Sequence, residues 1–230
     1  MQKVKRYFNI FLLNINLHEK EEIVNNFHKL YYDSSLLNKT WRNSKFLGYP
    51  IQKCPFDIFT YQEIINSLKP DLIIETGTAY GGSALYMATI CDAINHGKIL
   101  TIDIQKVEEP PKHPRIKYVI GSSVATEILD QVKEEIKNLN PETVMVILDS
   151  NHSKDHVLEE LHQYNGFVTS QSYLIVEDTN VNGHPVNIAH GPGPMEALTE
   201  FMENNHGFVS DRSMEQHFLT FNPNGYLKKK

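Results

Sequence analysis

The chain predicts an α/β fold built on a mostly parallel, doubly wound sheet, and three observations carry that expectation. From Asp57 onward, short apolar runs alternate with amphipathic helical stretches. The runs are continuously apolar, as in parallel strands covered on both faces. The residues that follow them are glycines, hydroxyls and carboxylates, the types that gather where such a sheet binds ligands beyond the carboxyl ends of its strands.

Residues 1–50 read as a helical extension and a loop, and residues 51–230 as the main domain. Ile23, Val24, Phe27, Leu30 and Tyr31 recur at helical spacing, and Thr40 to Pro50 reads as a loop holding the only tryptophan. A helix carrying Ile58, Tyr61, Ile64, Ile65 and Leu68 stops before Pro70. Leu72–Ile74 is the first strand, and a glycine-rich turn opens a helix running through Ile94. Ile99–Asp103 and Ile116–Ile120 are strands, followed by a helix near Val124–Leu139 and a strand at Val144–Leu148. Helix His156–Tyr164 leads to strand Tyr173–Val176, and a helix near Met195–Met202 follows a Gly/Pro/Asn loop. Phe208–Ser210 and His217–Phe221 complete seven strands, with the last two expected to be antiparallel.

At 230 residues the chain suits one large domain with an extension, and 40% hydrophobic residues suffice for a packed core. A net charge of −6 argues against nucleic acid as a partner. The two cysteines, Cys54 and Cys91, are expected to be reduced, and neither sits in a metal-binding CxxC pair. Lys3, Lys5 and Arg6 precede an apolar run from Tyr7 to Leu13, but Asn9 interrupts it, Asn14 and Asn16 follow, and no small-residue cleavage site appears. No stretch reaches membrane-spanning length. The expectation is a cytoplasmic protein with no membrane partner.

Chemistry concentrates at the strand ends. The first strand runs into Glu75-Thr76-Gly77-Thr78-Ala79-Tyr80-Gly81-Gly82-Ser83, where glycines allow a sharp turn and the next helix offers free N–H donors. It is not a GxGxxG dinucleotide fingerprint. Asp103 ends the second strand, where an acid can accept both ribose hydroxyls of a nucleoside or simply cap a turn. Gly121-Ser122-Ser123 ends the third, near an adenine in this architecture, although both serines also suit a helix cap. Leu148-Asp149-Ser150-Asn151-His152 and Val176-Glu177-Asp178-Thr179 end the fourth and fifth strands, which should be neighbours. Asp149, Glu177 and Asp178 would then meet at one sheet edge. Unpaired carboxylates repel, so a hard divalent cation is expected: Mg²⁺ by the all-oxygen set, with Mn²⁺ or Ca²⁺ also compatible. The alternative is an ion pair to Lys154 or a cap by Asp149. Glu177 and Asp178 point to opposite faces unless the strand stops there. His152, beside this set, is a candidate general base.

Taken together, Glu75-Thr76-Gly77 with Gly81-Gly82-Ser83, the Asp149–His152 segment, Tyr173–Thr179, Gly191-Pro192-Gly193-Pro194 and the closing Asn222-Pro223-Asn224-Gly225-Tyr226-Leu227 resemble the cephalosporin hydroxylase/rhamnosyl O-methyltransferase family, and the related macrocin and mycinamicin sugar O-methyltransferases. The likeness spans Trp41 to the C-terminus. It implies a Rossmann-like S-adenosylmethionine-dependent methyltransferase fold, S-adenosylmethionine and Mg²⁺ as cofactors, a sugar hydroxyl as acceptor and a homo-oligomer. Carried onto this chain, it implies cofactor contacts from Glu75, Thr76, Gly77, Tyr80, Gly82, Ser83, Asp103, Ser122, Ser123 and Asp149. It puts the metal on Asp149, Glu177 and Asp178, and catalysis on His152 with Asp149. Gln171 departs from the pattern, which has glycine there. Trp41, Tyr49 and the loop Asn180–Gly193 are candidates to close over the acceptor. A non-haem iron hydroxylase is the rival, but it needs two histidines and a carboxylate, and no His-x-Asp/Glu occurs in the chain. A non-catalytic nucleotide-binding protein is the third reading.

Overall fold

The structure, a computed structural model, describes residues 17–34 and 40–230. The basic and apolar N-terminal run lies outside the described residues. Six α-helices are present among them: α1 (Leu17–Asp33), α2 (Pro55–Leu68), α3 (Gly82–Ala93), α4 (Thr126–Leu139), α5 (Lys154–Tyr164) and α6 (Pro194–Asn204). The strands are β1 (Lys45–Phe46), β2 (Tyr49–Pro50), β3 (Leu72–Thr76), β4 (Lys98–Asp103), β5 (Ile116–Ile120), β6 (Val144–Leu148), β7 (Tyr173–Val176), β8 (Phe208–Ser210) and β9 (Tyr226–Lys229).

Seven strands form one sheet in the order β5-β4-β3-β6-β7-β9-β8, while β1 and β2 make a separate two-stranded ribbon within the expected loop. Pairing is parallel from β5 through β7 and antiparallel where β9 meets β7 and β8. The chain leaves β3 in opposite directions to β4 and β6, so a ligand crevice opens above β3 and β6. Strand residues divide by period two. Leu72, Ile74, Val144, Val146, Leu174 and Val176 pack with α4, α5 and α6. Ile73, Met145, Ile147 and Ile175 pack with α2 and α3. Every residue of β3, β6 and β7 is buried, which explains why their sequences are apolar except for Glu75 and Thr76 at the end of β3.

Local signals set the ends. Pro55 starts α2, and Lys69 in the left-handed region returns its N–H to Ile65 O. The Glu196 carboxylate accepts the Gly193 N–H at 2.7 Å and caps α6. Gln171, at φ +65°, takes the left-handed conformation that glycine favours, so the departure from the family pattern leaves the turn intact.

Two expectations are corrected. The last strand is Tyr226–Lys229, not His217–Phe221. Residues 217–221 run as a loop, exposed at Phe218 and buried from Leu219 to Phe221, because polar groups of the buried part find a side-chain partner instead of a ladder: Thr220 Oγ1 and the Phe221 N–H both donate to Asp57, at 2.5 and 2.8 Å. On α1 the packed face is His28 and Tyr32, whereas Ile23, Phe27 and Leu30 of the expected apolar stripe are exposed. The helix is anchored through polar and aromatic contacts: Asn180 donates to His28 Nε2 at 2.9 Å, and the Asn187 N–H donates to Asp33. The extension is therefore part of the site's wall.

Candidate active site

The turn after β3 is built around Gly77. Its φ is +90°, and a β-carbon there would lie 1.8 Å from the carbonyl oxygen of Asp149, so only glycine lets β3 and β6 approach at their carboxyl ends. Gly82 is required by the loop above, since a β-carbon would meet Pro50 O at 2.2 Å. Two adjoining cavities open over this edge. One, of about 310 Å³, is lined by Gly77, Ala79, Asp103, Gly121, Ser122, Ser123, Asp149 and His156 among others. The second, of about 370 Å³, continues over Gly77, Tyr80, Gly82, Ser83 and Asp149 to His152, Asp178 and His190, with Tyr32, Trp41 and Arg42 on its wall.

Asp103 accepts the Ala79 N–H at 2.9 Å and the Gln105 N–H at 2.8 Å. It thus holds the glycine-rich turn while lining the first cavity. Ser122 and Ser123 line the same cavity. Two expected cofactor contacts do not reach a cavity wall. Thr76 is fully buried, and its Oγ1 accepts the Asp149 N–H at 3.3 Å. Glu75 is fully buried and accepts from Ser83 Oγ at 2.5 Å and Thr101 Oγ1 at 2.7 Å. Burial pushes its carboxyl up to about 7, against the pull of Lys53. Both residues support the turn from beneath.

At the edge of β6 and β7, Asp149, His152 and Asp178 converge, with one donor atom of each within 4.8 Å of the others. His152 Nε2 lies 3.3 Å from Asp178 Oδ2 and 3.8 Å from Asp149 Oδ1. Burial raises the Asp178 and Asp149 carboxyls, His152 opposes it at both, and Lys53 is the main opponent at Asp149. Glu177 is not in this trio. The strand ends at Val176 and Asp178 turns left-handed at φ +54°, which sends the two acids to different surroundings. Glu177 Oε1 is bound by Lys53 Nζ at 2.5 Å and Tyr61 Oη at 2.7 Å, and burial pushes its carboxyl up to about 6. The Asp178 N–H donates to Asn222 Oδ1 at 3.1 Å, so the closing Asn-Pro-Asn-Gly segment holds this turn. Lys154 pairs with Glu200 rather than with the acids of the site.

Residues that sequence reasoning missed are Lys53, Arg42, His156 and His190. Lys53 carried one signal, a lysine immediately before the Cys-Pro that starts a helix, but nothing local told that it would be buried. His156 touches Ser123 Oγ and Ser150 Oγ at 3.2 and 3.1 Å on the wall of the first cavity. Of the expected closing residues, Trp41 lines the second cavity and is also packed: Tyr32 stacks on its ring at 5.3 Å and the Arg42 guanidinium sits over it at 4.9 Å.

Residues 38–230 match the family described as Rhamnosyl O-methyltransferase/CmcI. The rhamnosyl O-methyltransferase of Mycobacterium tuberculosis (strain ATCC 25618 / H37Rv) is 37% identical over 213 residues, covering 90% of this chain and 85% of that protein. The rhamnosyl O-methyltransferase of Mycobacterium leprae (strain TN) is 34% identical over 235 residues and covers the whole of both. Among solved structures, the apo form of CmcI-N160 superposes with a TM-score of 0.62 over 82% of this chain and 76% of that one, at 16% identity, which speaks for the fold. No helix among the described residues is long and apolar enough to cross a membrane. The sheet order, the cavity over β3 and β6 and these relatives together show that the chain belongs to the rhamnosyl O-methyltransferase/CmcI family and is an S-adenosylmethionine-dependent O-methyltransferase.

Proposed function

We propose that the chain methylates a hydroxyl of a sugar or glycoside and uses Mg²⁺ to do so. The observation that carries this is the convergence of Asp149, His152 and Asp178 beside the Gly77 turn, where two adjoining cavities meet. The named relatives support a sugar as the acceptor. Two carboxylates beside a third buried acid suit a hard, oxygen-preferring cation. An iron triad of two histidines and a carboxylate is not assembled among the described residues, where the one candidate group contains a single histidine.

Asp103, Ser122 and Ser123 would hold the nucleoside, and Gly77, Tyr80, Gly82 and Ser83 would line the path of the methionine end. S-adenosylmethionine supplies an electrophilic methyl on its sulfonium. Asp149 and Asp178, with Glu177 behind them, would hold a bound Mg²⁺, which would supply Lewis acidity that lowers the acceptor hydroxyl's pKa. His152 takes the hydroxyl proton at Nε2, the nitrogen that Asp149 and Asp178 flank. The cavity walls align oxygen, methyl carbon and sulfur, and much of the acceleration comes from that alignment.

The test is a paired one. His152→Ala should cut turnover by about 10²- to 10⁴-fold, the usual worth of a placed general base, with S-adenosylhomocysteine and Mg²⁺ affinity nearly unchanged. Asp178→Asn should weaken Mg²⁺ binding itself, read by calorimetry. Full turnover in excess chelator sinks the metal mechanism, and near-normal turnover in the His152 variant removes it as the base.

A further inference from the structure

Lys53 lies in the loop between β2 and α2, with 3% of its side chain exposed. Lysine is almost never buried to that degree without partners. Its ammonium spans two strands' ends, donating to Asp149 Oδ2 at 2.6 Å and to Glu177 Oε1 at 2.5 Å. Glu177 is further held by Tyr61, and Tyr61 Oη in turn accepts from Asn222 Nδ2 at 3.1 Å. Four acids, Glu75, Asp149, Glu177 and Asp178, crowd this sheet edge, and Lys53 is the lysine placed among them. The two oxygens of Asp149 are thereby divided. Oδ2 faces Lys53, and Oδ1 is the oxygen that faces His152 at 3.8 Å.

We infer that Lys53 is a resident counter-cation: its ammonium keeps Asp149 and Glu177 assembled when no divalent ion is bound, and it moderates the affinity of the site for that ion. It is a positioning residue, since it acts through Asp149. The inference rests on the metal reading above. A fixed positive charge beside two of the acids repels an incoming dication and neutralises part of the charge that would hold it. It also removes the repulsion that would otherwise open the sheet edge in the metal-free chain. The wild type thus folds without needing the metal, and folding becomes metal-dependent once the lysine is gone.

The experiment compares wild type, Lys53→Met and the double variant Lys53→Met/Glu177→Gln by thermal melting in chelator and in Mg²⁺, and by calorimetric titration with Mg²⁺. Lys53→Met should melt several degrees lower in chelator, recover most of that loss in Mg²⁺, and bind Mg²⁺ about tenfold tighter than wild type. The double variant, relieved of one unpaired acid, should regain melting temperature in chelator and lose the gain in Mg²⁺ affinity. A Lys53→Met protein that melts equally low in both conditions, or binds Mg²⁺ no tighter, overturns the inference. If Lys53→Met is insoluble throughout, the double variant decides: recovery supports the counter-charge, and continued insolubility means Lys53 serves packing alone. Absence of Mg²⁺ binding by both wild type and Lys53→Met refutes the metal reading itself, which is a different result from a wild type that binds and a variant that gains nothing.

Discussion

At Asp178 the backbone stands at φ +54°, a conformation that aspartate tolerates better than most residues but that still costs energy. Asn222 meets that cost by accepting the Asp178 N–H, and the result is that two consecutive acids do different work: Glu177 is sealed against Lys53 and Tyr61 while Asp178 faces the cavity. Asp103 is likewise divided, bracing the turn through Ala79 and Gln105 and still lining the first cavity. If its free lone pairs accept the ribose hydroxyls, Asp103→Ala should weaken S-adenosylhomocysteine binding by tenfold or more, on the order of the 1.5–3 kcal/mol carried by hydrogen bonds to a charged group. Calorimetric titration reads this directly, and unchanged affinity removes Asp103 from the cofactor site.

Among the elements, α1 has the least ordinary anchorage. His28 is 3% exposed, stacks on Phe221 at 5.6 Å, and accepts from Asn180 on the loop that follows β7. Burial depresses its pKa to about 4. The sign follows from proton uptake. Below about 6.5 the unfolded chain protonates His28, and the folded chain does not until about 4, so acidification across that window favours unfolding. The loss amounts to as much as about 3 kcal/mol if the whole shift is realised. Asp57, raised by burial to about 7, works the other way, since it gains protons on folding and adds stability as the pH falls below that value. The clean observable is therefore a difference. Between pH 6.5 and 4, His28→Gln should lose less stability than wild type in denaturant titrations, and parallel curves would show that His28 does not titrate with unfolding. The same element explains why the apolar stripe at Ile23, Phe27 and Leu30 misled: the helical period was legible, but which face is covered depends on Phe221 and the loop at Asn180, both far along the chain.

For the whole molecule, the doubly wound sheet places five parallel strand ends along one edge, and its central pair, β3 and β6, carries Gly77 and Asp149. A ligand bound there touches residues from most of the chain, so binding should stabilise the fold as a unit. S-adenosylhomocysteine at about a hundredfold its Kd should add about 2.7 kcal/mol by mass action and raise the melting temperature accordingly. NAD should not, because the first turn lacks the GxGxxG fingerprint. A thermal shift with NAD in place of the homocysteine nucleoside would overturn the cofactor assignment.

What could be read without coordinates was whatever repeats with a short period or ends a strand. Uniformly apolar runs meant buried parallel strands, Pro and Gly marked the helix ends, and carboxylates after those runs marked the binding edge, because strand ends converge in this topology wherever the strands are placed. Asp149, His152 and Asp178 were legible for that reason. The role of Glu177 was not, since it hangs on one left-handed residue and on a lysine 124 positions away. The burial of Lys53 was silent: it is decided by partners that reach the lysine through the fold, and no local pattern encodes them. The final strand was misplaced for a related reason. Apolar residues at 217–221 look like a strand until Asp57 supplies hydrogen bonds that a neighbouring strand would otherwise have provided. Periodicity and strand-end chemistry are properties of the chain, whereas the pairing of buried charges and the choice of hydrogen-bond partner exist only once distant segments have met.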